Sequence, residues 1–532
     1  GGADVIFDEK GKRTGGARMT AVVTLHPGIQ GRHYRLPTDR DYQAVWKAQK
    51  RLKAILYEWE RGGRKGICPV PDEPLPPKNT NCFRIPNYGI RQWKDISTER
   101  QQLALNTLAA KLREETNAKN GPILVAPLLG LAVSRCSDFN SSLNSWAAGG
   151  EFVRSTFARQ ALSMVWDFCE TMPLTTESGG FSGALAWVER VTEGLVSLKG
   201  SRGQVEQADV CKSPLPDETV SIWFTDPPYY DAVGYAELSD FFFVWLKRGL
   251  QGHPLLRDPF DPNNPLVPKT RECVQDEHYI SVNGKPKNRT FFEDTMGSAF
   301  GEGRRVIRED GLGSVVFAHK TTEGWEALLA GIIHGGWTIT GSWPIATERP
   351  GRLRSQESAA LATSVHLICR PRPDDAPIGD WADVLRELPN RVGDWMERLQ
   401  DEGIRGADLV FACIGPALEI FSRYSKVETA EGREVELAEY LEKVWEVVGR
   451  TALEQVLGTA EAKARNGAAG AVEEDARLTA LFLWTLQSTN GETSNGDAKA
   501  ENDEDVAPRG KTKGYSLVFD VARRFAQPLG ID

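Results

Sequence analysis

The spacing of apolar residues changes along the chain, and the predicted elements change with it. Residues 1–20 are polar and Gly-rich, with a short strand over 19–24. Over 41–60 the apolar residues Val45, Leu52, Ile55, Leu56 and Trp59 fall near helical spacing, while Lys47, Lys50, Arg51 and Lys53 take the other face. Residues 67–86 are Pro-rich and read as extended loop. Helical spacing returns at 98–115, through Leu103, Leu105, Leu108 and Leu112, and again at 123–138; a further apolar element follows at 151–168. Residues 1–150 are therefore expected to form a mainly helical region.

Near Gly200 the pattern becomes one of short apolar runs between longer amphipathic ones. A strand at 204–210, ending near Asp209, precedes a second at 220–224. A helix at 236–250 carries Phe241, Phe242, Phe243 and Trp245, which belong to a core, as does Trp223. After a long polar loop (251–290), a helix at 291–307 and a break before Gly311, a buried strand at 312–318 ends at His319 and Lys320. A helix at 322–335 leads to strands at 337–345 and 362–369. Strand–helix alternation closed by two strands with no helix between them predicts an α/β region over 151–372, a parallel sheet with a terminal antiparallel hairpin. Residues 373–532 read as helical again, at 380–388, 392–402, 417–425, 437–457 and 473–487. The stretch 488–513 has too little to bury to repay its ordering entropy and is expected to be disordered, before a last helix at 520–532.

Composition narrows the classes. At 532 residues, 40% apolar and 26% charged, the chain suits two or three globular domains. No apolar run approaches the ~20 residues that span a bilayer, so no membrane contact and a cytoplasmic location are expected. The eight cysteines stand singly with no Cys-x-x-Cys pair, which gives neither a disulfide framework nor a zinc ribbon, and no His/Cys/Asp set has metal spacing. Net charge is −9, yet residues 1–100 hold 19 basic against 11 acidic side chains. That local excess suits either a phosphate-binding surface or a solvated face.

The chemistry concentrates just past the strand at 220–224. Asp226-Pro227-Pro228-Tyr229 cannot extend a central strand, because proline lacks the N–H and fixes φ, so it forms a stiff loop just past the carboxyl end of a strand, 220–224, that is expected to be buried. In open α/β sheets ligands bind at that edge. An exocyclic amino group on a nucleobase is a poor nucleophile, since its lone pair is delocalised into the ring. A carboxylate and a carbonyl accepting its two hydrogens would free that lone pair. Asp226 supplies the first and Pro227 the second, and Tyr229 offers a face on which a base stacks. The tetrapeptide resembles the catalytic loop of amino-group DNA methyltransferases, which use S-adenosylmethionine, in the form associated mostly with adenine N6.

The chain as a whole resembles one family, the large adenine-specific DNA methylases that carry a zinc ribbon. The most specific block is 225–231 with Leu238-Ser239-Asp240-Phe241-Phe242. Phe157-Ala158-Arg159-Gln160, Phe317-Ala318-His319-Lys320, Trp343-Pro344-Ile345 with Thr347-Glu348, and Ile414-Gly415-Pro416-Ala417 accompany it in order. The resemblance implies a class I, Rossmann-like methyltransferase sheet flanked by helical regions, S-adenosylmethionine as cofactor, and DNA as partner. It also implies a restriction–modification or phage-defence setting with other subunits. It places Asp209, Thr225 and Asp226 at the cofactor. The sequence departs from the family in lacking a Phe-x-Gly-x-Gly cofactor loop and the zinc-ribbon cysteines. Since it opens on Gly1 rather than Met, it is expected to begin downstream of both.

Around this centre, Tyr230 and Asp231 are candidates for the base pocket. His319 and Lys320 end the next strand and face the same crevice, with a structural role the alternative for His319. Thr347, Arg349, Arg352 and Arg354, in the hairpin loop, would hold phosphates or remain solvated. Gly180-Phe181-Ser182-Gly183-Ala184 lacks the last glycine of a hydrolase elbow. The leading expectation is an adenine-N6 DNA methyltransferase. N4-cytosine or RNA methylation, a non-catalytic DNA-binding or scaffold subunit, and a chain completed by a partner's strands remain the alternatives.

Overall fold

The computed structural model describes residues 17–457 except 27, 77–82, 118–124, 159, 178, 202, 257–264, 320–321, 347–362 and 405. In chain order the elements are β1 (Val22–Thr24), β2 (His33–Arg35), α1 (Asp39–Arg61), α2 (Glu99–Asn117), α3 (Val125–Asp138), β3 (Ser145–Ala147) and β4 (Phe152–Arg154). They continue with α4 (Phe181–Ser197), β5 (Val220–Thr225), α5 (Tyr235–Gly249), β6 (Asp276–Ile280), β7 (Pro286–Lys287), α6 (Arg289–Val306), β8 (Ile307–Phe317), α7 (Thr322–His334) and β9 (Trp337–Ala346). The last are β10 (Thr363–Pro371), β11 (Gly379–Asp380), α8 (Trp381–Asp401), α9 (Gly406–Ser422), β12 (Val427–Glu428) and α10 (Leu437–Leu457). This is a mixed α/β chain, and among the described residues no helix is long and apolar enough to cross a membrane.

Two compact units share the chain, each made of separated segments: Gly1–Gln207, Asp231–Glu272 and Asp276–Pro286 form the first, and Ala208–Tyr230, Cys273–Gln275 and Lys287–Asp532 the second. The first is helical with small hairpins. Its core gathers Phe83, Ile85, Trp93, Leu105, Leu162, Phe241 and Trp245, with α2 packed on α3 and α5. The stretch 151–168, expected to continue the helical pattern, instead forms β4, which turns back on β3, followed by irregular chain. Buried polar side chains fix that path: Asn144 donates to the carbonyls of Asp138 (2.9 Å) and Arg154 (3.1 Å), and Thr156 Oγ1 to that of Asp138 (2.7 Å). Such bonds offer the backbone an alternative to helix.

The second unit holds a four-stranded sheet in the order β5-β8-β10-β9. β5 runs parallel to β8, with Thr225 opposite Val315. β10 is antiparallel to both neighbours, Val365 lying opposite Phe317 and His366 opposite Trp343. The parallel pair and the closing antiparallel hairpin are thus both present. β8 begins at Ile307 and runs through Gly311, where the sequence suggested a break.

Helix α6 covers one face of β5. Trp223 sits there between Phe300 and Trp337, and Gly303 lets the helix approach so closely that an added Cβ would lie 2.5 Å from the Trp223 ring. On the other face Ile222 and Phe224 are 66% and 62% exposed, so the strand expected to be buried is, among the described strands, an edge strand packed on one side. Beyond the sheet, Trp381–Asp401 forms one helix where two were expected, at 380–388 and 392–402. Pro389 removes a helical hydrogen bond at a cost of about 3 kcal/mol. The stripe Val384, Leu388, Val392, Met396 and Leu399 is fully buried, each side chain returning roughly 1.5–3 kcal/mol, and the helix continues through the proline. The predicted elements at 473–487, 488–513 and 520–532 lie outside the described residues.

Candidate active site

Because β5 and β8 are parallel neighbours, their carboxyl ends lie side by side, and the segments leaving them form one constellation. Thr225, the last residue of β5, is half-buried. Asp226, just beyond, is exposed, and no hydrogen bond or ion pair to a described residue occupies its carboxylate. Pro227 is buried and Pro228 half-buried. The half-buried Tyr229 sets its ring edge-on to Phe317, the last residue of β8, at 5.3 Å. Strand ends therefore hold the aromatic member of the corner, while its acid is left open to solvent.

Tyr230 behaves unlike a pocket-lining residue. It is 4% exposed, and its ring stands perpendicular to those of Phe292 (5.1 Å) and His319 (5.7 Å). Its hydroxyl donates to Glu323 Oε1 at 2.8 Å, in the first turn of α7. Its backbone is left-handed, φ 53°, which costs a residue with a Cβ about 1–2 kcal/mol. The Tyr230 N–H donates to the Pro228 carbonyl (3.0 Å), and its own carbonyl accepts from Gln275 N–H (3.0 Å). With the Pro228 carbonyl engaged, that of Pro227 accepts from no backbone amide of the described residues.

His319 is also 4% exposed. Its ring lies parallel to Phe317 at 6.1 Å, and its carbonyl accepts from Trp325 Nε1 at 3.1 Å. Gly324 presses so closely that an added Cβ would come within 2.3 Å of Nδ1. That packing gives His319 a structural place behind the corner. Lys320, Thr347, Arg349, Arg352 and Arg354 lie outside the described residues, and Asp231, half-buried, begins the next segment of the first unit.

The strand expected at 204–210 is absent. Val205 is the one large apolar residue in a run of Gly, Gln and Glu and is fully exposed, so nothing there can be buried against a sheet. Asp209 instead caps a single 3-10 turn, Val210–Lys212, accepting from the Cys211 N–H at 3.0 Å. That turn packs on α6, Cys211 Sγ reaching the Thr295 carbonyl, and burial pushes the thiol up to about 11. Asp209 thus does not stand at a strand end beside β5. The glycine-rich start of α4 lines a cavity of about 250 Å³ with Arg135, Phe139, Trp187 and Arg190, all in the first unit; none of the corner's residues line it.

Glu323 and Trp325 were not singled out by sequence reasoning, and Phe317 was named only within the stretch 317–320, with no role at the site. The only signal was position: each lies within eight residues of a strand end that already carried His319. Comparisons with protein-family models, with curated proteins and with solved structures each return no match.

Proposed function

We propose that this chain is an S-adenosylmethionine-dependent amino-methyltransferase acting on adenine N6 of a base flipped out of DNA. The observation that carries the reading is the corner at 226–229, with an open carboxylate and an anchored aromatic ring at the carboxyl ends of two parallel strands. The parallel pair closed by an antiparallel hairpin agrees with the Rossmann-like sheet implied by the family resemblance. The exposed basic face of α1, with Lys47, Lys50, Arg51 and Lys53, supports a polyanionic partner.

In this reading the flipped base, extruded at a cost of a few kcal/mol, stacks on Tyr229. Asp226 and the Pro227 carbonyl accept hydrogen bonds from the amino group, which drives the nitrogen toward tetrahedral geometry and makes its lone pair available. Bound S-adenosylmethionine supplies an electrophilic methyl on a sulfonium. The exposed Asp226 carboxylate suits a cationic neighbour, and Thr225 with Asp226 would hold that end of the donor. Asp209, engaged in its capping turn, is not assigned to it. The acceleration comes from positioning and preorganised acceptors rather than from a covalent enzyme intermediate.

The test uses the full chain with labelled donor and duplex DNA, followed by nucleoside analysis of the product. Donor binding by calorimetry and N6-methyladenine formation, both expected for the wild type, are accompanied by loss of methyl transfer in Asp226→Ala with unchanged melting. Transfer that survives this substitution rules out the mechanism. N4-methylcytosine, or methylated RNA alone, changes the substrate.

A further inference from the structure

We propose that Tyr230 is the positioning residue of the corner, a strut through which Glu323 of α7 fixes Asp226 and Tyr229; this rests on the methyl-transfer reading above. The starting observation is a mismatch between backbone and side chain. At φ 53° the position favours glycine, yet it carries one of the largest side chains, almost fully buried. A strained residue held by its surroundings points to a role for what holds it. The contacts that hold Tyr230 include the hydroxyl on Glu323, two perpendicular ring contacts, and the Gln275 amide on its carbonyl.

The strut acts on Asp226 through a short, stiff path. The Tyr230 N–H closes a tight turn on the Pro228 carbonyl, and both prolines between it and Asp226 have φ fixed by their rings. Few soft torsions separate the phenol from the carboxylate. At the other end Thr225 is anchored in the ladder opposite Val315. Asp226 is thereby clamped between a sheet on one side and a helix-bound phenol on the other. Its own carboxylate meets no hydrogen-bond or ion-pair partner among the described residues. Tyr230 never touches the base; it sets where the acceptors stand.

The experiment compares Tyr230→Phe, Glu323→Ala and the double variant in the full chain, with melting curves to show that each folds. Each single variant should lower kcat about tenfold to a hundredfold with KM for donor and DNA unchanged, because a small misplacement of a catalytic group costs on that scale. The double variant should fall no further than the worse single one, since both cut the same contact. Amide exchange over 226–231 should quicken in both. Glu323 is exposed, so its variant tests the strut even if Tyr230→Phe folds poorly. Wild-type kcat and wild-type exchange in Tyr230→Phe, alongside an inactive Asp226→Ala, would overturn the inference. Full activity in Asp226→Ala overturns the methyl-transfer reading instead, and exchange at the corner in Tyr230→Phe then decides the strut by itself.

Discussion

The two units are built around different interiors. In the first, charge is buried: Arg248, 2% exposed, donates to the carbonyls of Cys68 (2.8 Å), Val70 (2.7 Å) and Val244, and to both oxygens of Glu73 (3.1 Å). Lys247 closes on the same Glu73, and Lys269 on the buried Asp240 at 2.7 Å. Desolvation raises the Asp240 carboxyl and lowers the Lys247 ammonium from their usual ranges, while those partners oppose the shift. In the second unit the interior is a continuous apolar cluster from the sheet through α10, and its buried polar side chains among the described residues are four serines, Thr338, His319 and one cation, Lys287, which stands apart from that cluster. A buried ion pair adds little net stability, yet breaking it is expensive; an apolar interior loses stability by volume. The first unit should therefore respond to charge and the second to shape.

Four experiments press on that contrast, in order of expected effect. Arg248→Leu leaves Glu73 buried with one cation and takes the guanidinium donor from the Cys68 and Val70 carbonyls. It should cost about 3–5 kcal/mol in urea unfolding, and Arg248→Leu with Glu73→Leu should recover much of that. A single substitution no worse than a surface change would end the contrast. In the second unit Gly303→Ala drives a methyl into Trp223 and should cost about 1–3 kcal/mol, with faster amide exchange in β5. Unaltered exchange there would mean that α6 does not fix the strand.

A smaller effect should be common to both units. Burial pushes the thiols of Cys136, in the first, and Cys413, in the second, up to about 12. With folded values above the ordinary ~8.5, their contribution is fully present below that pH and is lost as pH rises toward 12. Replacing either by Ala should flatten the alkaline fall in stability between about pH 9 and 11, as scored by unfolding at fixed temperature. An unchanged slope would count against buried neutral thiols. Smallest of all, Asp226→Ala should change stability by no more than about 0.5 kcal/mol, since the side chain is exposed and contacts nothing described. A larger loss would make the corner part of the core.

Much of the second unit's order was legible because its signals are local. β5, β8, β9 and β10 are runs of strand formers, and the prolines after Asp226 stop a strand whatever surrounds it. The Val205 region misled because one apolar residue can suggest a strand without supplying a face to bury. Helix α8 misled in the opposite sense: Pro389 reads as a boundary, and only the five buried side chains before and after it outweigh it. The stretch 151–168 failed because Asn144 and Thr156 satisfy backbone groups that a helix would otherwise use. At the site, Asp226 to Tyr229 could be named from sequence, whereas Tyr230 was placed with the substrate. Its left-handed backbone and its bond to Glu323, 93 residues away, leave no mark on local pattern.

By itself the sequence determined where strands must stop and which acid, carbonyl and ring follow one another at 226–229, because proline chemistry and residue order are covalent facts. Tertiary structure decided which side of β5 is covered, that His319 and Tyr230 turn inward, and that Asp226 is left in the open. Those outcomes depend on which distant residues come to pack beside them, and burial is a property of neighbours in space.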